Sequence, residues 1–113
     1  MKRDSVLSLI SIAKKAGRIG AGEFQTENAV KSGRAGLVIV SEEASDNTKK
    51  KFRNMCEFYQ VPFRLYGTKD ELGAAIGCEF RASLAVLDEG LSRSIEKKLE
   101  KNGGCVDGEN QGS

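Results

Sequence analysis

Leu37-Val38-Ile39-Val40-Ser41-Glu42-Glu43-Ala44-Ser45-Asp46 is the stretch on which the fold turns. Its first four residues form an unbroken apolar run of strand length, suited to a strand buried on both faces as in a parallel sheet. Ser45 or Asp46 then offers a capping oxygen to a helix in which Phe52, Met55, Cys56 and Tyr59 share one face. Beyond it Val61, Phe63 and Leu65 alternate as strand residues do. Strand, helix and strand in that order make one βαβ unit, whose crossover is right-handed.

The same alternation continues in both directions. Upstream, Asp4 can cap a helix with Val6, Leu9, Ile10 and Ala13 on one face, and Gly17 lies where a left-handed exit residue is wanted. A short strand near Ile19 leads through a glycine-rich turn into a second helix, Glu23–Ser32, ending at Gly33. Downstream, Thr68 and Glu71 have capping-box spacing for a short helix to Ile76, closed by Gly77. Ala82–Leu87 is another buried strand, and Leu91, Ile95 and Leu99 line a final helix. This pattern predicts an α/β fold, a mainly parallel sheet sandwiched between helices. Residues 1–101 read as one domain. Asn102–Ser113, with four glycines and no apolar periodicity, reads as a disordered tail.

At 113 residues and 39% hydrophobic, the chain suits a single core. No apolar run approaches the roughly 20 residues of a membrane span. Val6–Ala13 is interrupted by Ser8 and Ser11 and lacks a cleavage pattern, so the expected setting is soluble and cytoplasmic, without a membrane partner. Cys56, Cys78 and Cys105 are odd in number and match no metal or redox spacing, which leaves them as ordinary thiols. Histidine is absent, removing the commonest general base and the usual partner of a nucleophile. The acid pairs Glu42-Glu43, Asp70-Glu71 and Asp88-Glu89 fall at helix entries or loops, where negative charge suits the helix dipole. Neither a P-loop nor a dinucleotide fingerprint follows a strand. The reading is therefore a non-enzyme with no catalytic residue, cofactor or metal.

Arg18-Ile-Gly20-Ala-Gly22-Glu23-Phe-Gln25-Thr26 is the candidate binding stretch, because it sets a glycine-rich turn, an acid and an amide at a helix start. Free backbone N–H groups there can meet an RNA backbone or base edge. Lys14 and Lys15 precede it and Lys31 and Arg34 follow it. Residues 1–34 carry seven basic side chains (Lys2, Arg3, Lys14, Lys15, Arg18, Lys31, Arg34) against three acidic ones (Asp4, Glu23, Glu27), whereas residues 35–101 balance. Clustered Lys and Arg supply most non-specific nucleic-acid affinity, although such runs are also ordinary solvated surface. Glu23 has a plainer role open to it, as a first-turn acid that stabilises its helix.

Taken in order, the helix, the glycine-rich turn, the second helix, the Val-Ile strand, Ser41–Thr48, Val61-Pro62-Phe63 and Glu71–Gly77 resemble the L7Ae/L30e superfamily of ribosomal proteins, and its small bacterial YlxQ-type branch in particular. The resemblance covers about residues 4–100. It implies a three-layer α-β-α sandwich with a mixed, mainly parallel four-stranded sheet, and recognition of kink-turn RNA, in which tandem sheared G·A pairs flank a sharp bend. The family motif Gly-x-Asn-Glu-x-x-Lys falls on Gly20–Thr26, where Gly20 and Glu23 match and Gly22 and Thr26 stand for Asn and Lys. In the family the Asn and Glu read guanine edges and the Lys reaches a base or phosphate. A carboxylate at Glu23 suits two guanine N–H donors, and Gln25 offers a donor and an acceptor beside it. The family's second element, a loop that packs against the extruded nucleotide, falls on Gly77-Cys78-Glu79-Phe80-Arg81. Phe80 or Arg81 suits a base face, and Phe80 is equally suited to starting the next strand and entering the core.

The expected function is a monomeric, non-catalytic module binding structured RNA, ribosomal RNA first, with ribosomal proteins as further partners. Two rivals stand beside it. One is a protein-interaction or ribosome-assembly factor that keeps the fold without reading kink-turns; the other is a substrate-binding domain detached from an enzyme.

Overall fold

The computed structural model describes residues 4–103. Nine elements alternate along them: α1 (Ser5–Lys15), β1 (Ile19–Ala21), α2 (Gly22–Lys31), β2 (Leu37–Val40), α3 (Asp46–Tyr59), β3 (Phe63–Leu65), α4 (Lys69–Ala75), β4 (Ser83–Val86) and α5 (Glu89–Gly103). Three expected caps form. The Asp4 carboxylate accepts from Leu7 N at 3.0 Å, Ser45 Oγ accepts from Thr48 N at 3.1 Å, and Thr68 with Glu71 closes a reciprocal capping box. The acid pairs are occupied in the same way: Asp88 accepts from Leu91 N at 2.8 Å, and Glu43 accepts from Lys69 N at 3.0 Å.

The sheet order is β1-β4-β2-β3. The predicted βαβ unit is present, with β2 and β3 parallel, Val38 opposite Phe63 and Val40 opposite Leu65. The expectation of a mainly parallel sheet is corrected, because β4 is antiparallel to both β1 and β2 and only one of the three ladders is parallel. The physical reason lies in α4. The crossovers α2 and α3 carry the chain back along the sheet, so β1, β2 and β3 all point one way. The seven-residue α4 stays where β3 ends, and β4 therefore starts there and runs back, Ser83 opposite Val40 and Val86 opposite Leu37. We call the end where β1, β2 and β3 finish the upper end, and the other the lower end.

Strand alternation divides the interior in two. Leu37, Ile39, Leu84 and Val86 face α1, α4 and α5, meeting Val6, Ile10, Ala13, Leu72, Ile76, Ile95 and Leu99. Val38, Val40 and Ala85 face α2 and α3, meeting Ala29, Val30, Phe52 and Cys56. This is the expected α-β-α sandwich. Cys56 is buried in the second core, and burial pushes its thiol up to about 11, as an inert structural thiol requires.

Two smaller expectations shift. Helix α5 includes residues 102 and 103, expected in the tail; the remainder of that segment, residues 104–113, lies outside the described residues. Tyr59, expected on the buried face of α3, is 41% exposed, since the helix ends there through Gln60 in the left-handed region.

Asp4 ties two elements together, because its second oxygen accepts from the Tyr66 hydroxyl at 2.5 Å while the first caps α1. Burial first, and then this carboxylate, raise the Tyr66 phenol above its ordinary range. Asp4→Ala removes both bonds and is expected to lower stability by about 2 kcal/mol. In thermal unfolding that is a fall of roughly 10 °C. Asp4→Asn keeps a capping oxygen and should recover at least half of it, whereas an alanine variant melting within 2 °C of the parent would rule the tie out.

Candidate nucleic-acid interface

The turn Ala21–Gly22 stands at the upper end, where Ala21 pairs with Leu84 and α2 begins. Gly22 has φ +90°, which explains its presence directly: an L side chain there would be strained. Gly20 is buried in β1. Thr26 is also fully buried, its hydroxyl donating to Gly20 O at 3.4 Å, so the motif's lysine position points into the fold and closes the turn on the helix. Glu23, Phe24 and Gln25 project outward, with Phe24 76% exposed.

The loop from α4 to β4 enters the sheet at the same end, since Leu84 is the partner of Ala21. Its position is set by close backbone packing on α4: Cys78 N donates to Gly73 O at 2.8 Å and Arg81 N to Lys69 O at 3.0 Å. Phe80 is 55% exposed, which decides its two readings in favour of the surface. Arg81 lies beside it, its guanidinium donating to Phe80 O at 2.8 Å. The structure thus brings Gly20, Gly22, Glu23, Gln25, Phe80 and Arg81 to one end of the sheet.

It does not bring Lys14, Lys15, Arg18, Lys31 or Arg34 to that turn. Lys14 and Lys15 occupy the last turn of α1, and Arg18 sits at the lower end, its carbonyl accepting from Leu87 N. Arg34 lies beyond the C-terminus of α2 and leads to Gly36, whose N–H donates to Val86 O, also at the lower end. Lys31, in the last turn of α2, pairs with Glu27 at 2.8 Å. The single cluster expected from sequence is divided: Lys14, Lys15, Arg18 and Arg34 are separated from the turn by about 14 Å of helix, while Lys31 is linked to it through Glu27 and Lys51.

Another cation stands at the upper turn. Lys51 on α3 contacts the Glu23 carboxylate at 2.9 Å and Glu27 at 3.0 Å, joining α2 to α3. The bond to Glu23, then that to Glu27, raises the Lys51 ammonium above its ordinary range. Lys31 and then Lys51 hold the Glu27 carboxyl below the usual carboxylate range. That depressed group favours the fold above the ordinary carboxylate pKa, and its contribution is lost as pH falls through the lowered one. Lys51 and Phe24 were not among the residues singled out from sequence. Lys51 is 28 residues from Glu23 and has no local signal, whereas Phe24 is a large apolar residue off the Thr26-Ala29-Val30 stripe and could have been noticed.

A groove lined by Asp4, Glu42, Glu43, Tyr66, Gly67, Thr68 and Glu71 opens elsewhere on the upper end. Its acidity repels phosphate, which leaves the α2 side for an anionic polymer. Among the described residues no group of acids or cysteines could hold a metal, and no helix is long and apolar enough to cross a membrane.

These features define a class: a small α/β sandwich presenting a helix-start turn and an aromatic loop at one end of its sheet. The chain belongs to the ribosomal protein L7Ae/L30e/S12e/Gadd45 family, whose model matches residues 4–96, and it is a non-catalytic member. It is 34% identical over 92 residues to the RNA-binding protein YlxQ of Bacillus subtilis (strain 168), covering 81% of this chain and 92% of that protein. To the RNA-binding protein YlxQ of Enterococcus faecium it is 31% identical over 99 residues, covering 87% and 94%. Among solved structures, a Bacillus halodurans protein of unknown function superposes with TM-score 0.84 at 37% identity over 87% of this chain and 99% of that one. The Giardia lamblia 15.5kD RNA binding protein shares the fold, with TM-score 0.72 at 21% identity, covering 89% of this chain and 90% of that one.

Proposed function

We propose that this protein binds structured RNA of the kink-turn kind at the upper end of its sheet, in a ribosomal setting. The observation that carries the reading is the convergence of the Gly20–Gln25 turn and the exposed Phe80–Arg81 loop on that end, in a family whose YlxQ relatives are named as RNA-binding. Glu23 accepts from a guanine edge in exchange for Lys51, which moves to a neighbouring phosphate. Gln25 adds a second polar contact, and Phe80 with Arg81 covers an extruded base. The exchange is inexpensive because an exposed ion pair is worth roughly 1 kcal/mol or less, while a hydrogen bond to a charged group is worth about 1.5–3.

Gel-shift titration against a kink-turn RNA and a straight duplex of equal length tests this. The parent protein should prefer the kinked RNA, and Glu23→Ala should lose about tenfold on it while binding the straight duplex as before. Equal losses on both RNAs would remove Glu23 from base reading. No preference in the parent would favour the protein-interaction reading, for which Gly22 and Thr26 in place of the motif's Asn and Lys are the motive.

A further inference from the structure

The lower end of the sheet gathers Lys14, Lys15, Arg18 and Arg34, whereas the upper-end cations Lys51 and Arg81 stand among acids such as Glu23, Glu27 and Glu79. Arg18 and Gly36 flank the end of β4, through Leu87 N to Arg18 O at 2.8 Å and Gly36 N to Val86 O at 2.8 Å. Lys14 and Lys15 join this edge, because Arg18 N turns back to Ala13 O at 2.8 Å. Arg34 joins it two residues before Gly36. All four side chains are exposed, and among the described residues none of the four has an ion-pair partner. The dipole of α1 accounts for Lys14 and Lys15. It does not account for Arg18 and Arg34, which lie outside the helices.

The same end carries exposed aromatic rings. Helix α3 runs down from the upper end and finishes with Phe58, 79% exposed, and Tyr59, 41% exposed, packed edge to face with centroids 5.0 Å apart. Helices α2 and α3 pack side by side and both run to the lower end, which brings the rings to the same side of the sheet as the C-terminus of α2. The acids nearby are mostly engaged: Asp88 caps α5, Glu89 pairs with Arg93, and Glu27 pairs with Lys31 and Lys51. Glu57 is the exposed acid that remains beside the rings.

We propose that this end is a second RNA surface, on which a single-stranded segment runs its phosphates past Lys14, Lys15, Arg18 and Arg34 and stacks an unpaired base on Phe58 or Tyr59. Unpaired cations and open aromatic faces gathered at one end are what sequence-tolerant single-strand binding requires. Across four strands the path is about 14 Å, the scale of a few nucleotides. The choice of RNA as the polymer rests on the function proposed above, but the surface is separate from the kink-reading turn. A kinked RNA held above would reach it only through an unpaired flank.

Fluorescence anisotropy with a 12-nucleotide oligouridylate, titrated at several salt concentrations, tests the surface on the full chain. The parent should bind it better than a straight duplex of equal charge. Replacing Lys14, Lys15 and Arg34 together by alanine should weaken binding at least ~10-fold and lower the salt slope by about 2, three single-strand contacts at roughly 0.7 each. Phe58→Ala should lose at least ~5-fold with the slope unchanged. Both variants should melt like the parent and keep its affinity for a kinked RNA lacking single-stranded flanks, while Glu23→Ala should bind oligouridylate normally. A control with Lys50, Lys97 and Lys98 replaced by alanine removes equal charge from α3 and α5 away from this end. The proposal is overturned if the parent does not prefer oligouridylate, if the control loses as much as the triple variant, or if Phe58→Ala binds as the parent does. Loss of kink preference with oligouridylate binding intact would instead count against the upper site alone.

Discussion

Gly73→Ala is expected to destabilise the protein by about 3 kcal/mol and to cost most of its RNA affinity through one added methyl group. A Cβ at Gly73 would collide with Phe80 Cα and stand 2.6 Å from Phe80 N and 2.7 Å from Glu79 O. All three neighbours are backbone atoms, so no side chain can rotate aside, and either α4 or the loop must move. Helix α4 is held by buried Leu72 and Ile76 in the first core, so the loop is the part displaced. Overpacking of this kind costs typically 1–3 kcal/mol, and the displaced segment carries the exposed Phe80 and Arg81. Thermal unfolding with a gel shift on kinked RNA reads both consequences: a Tm lower by roughly 10 °C or more, and binding weakened at least ~10-fold. A variant with parental Tm and affinity would show that the close approach of α4 to the loop is not as described.

Phe52→Ala should have the larger effect on stability. Phe52 is fully buried in the second core among Val38, Val40, Ala29 and Val30, and removing its ring leaves a cavity between α3 and the sheet. Such truncations cost about 3–5 kcal/mol, a large share of the 5–15 typical of a domain. Urea unfolding should place the midpoint far below the parent's, while Phe52→Leu, which refills most of the volume, should lose about 1.5 kcal/mol or less. A loss under 1 kcal/mol for alanine would mean that α3 is not packed through this residue. Because Lys51 is the neighbour of Phe52 and bridges Glu23 and Glu27, loosening α3 also releases the upper turn.

Much of this was legible from residue order, for identifiable reasons. Leu37–Val40 is apolar without a break because each face meets its own core, and the caps at Asp4, Ser45 and Thr68 follow from local chemistry alone. Periodicity shows which face of a strand is buried but not which strand lies beside it. The place of β4 between β1 and β2 depends on α4 remaining at the upper end, which no local pattern states. The same gap affected the candidate site. Lys14, Lys15, Arg18 and Arg34 are close to Glu23 in sequence, but β1 and α2 each run between the two ends of the sheet and separate them. Lys51, distant in sequence, is brought into contact with Glu23 by the packing of α2 on α3. Thr26 shares its helical face with Ala29 and Val30, so its burial is legible in the spacing, against the outward role that the motif's lysine implies.

The central claim is that the upper end of the sheet meets kinked RNA, and amide chemical shifts of the 15N-labelled chain titrated with a flank-free kink-turn RNA test it most directly. The prediction is that the largest shifts fall on Gly20–Gln25 and Glu79–Arg81, with Lys51 following Glu23, while Lys14, Lys15, Arg18 and Arg34 stay near their free positions. Shifts concentrated at the lower end, with the Gly20–Gln25 turn unmoved at saturation, would contradict it.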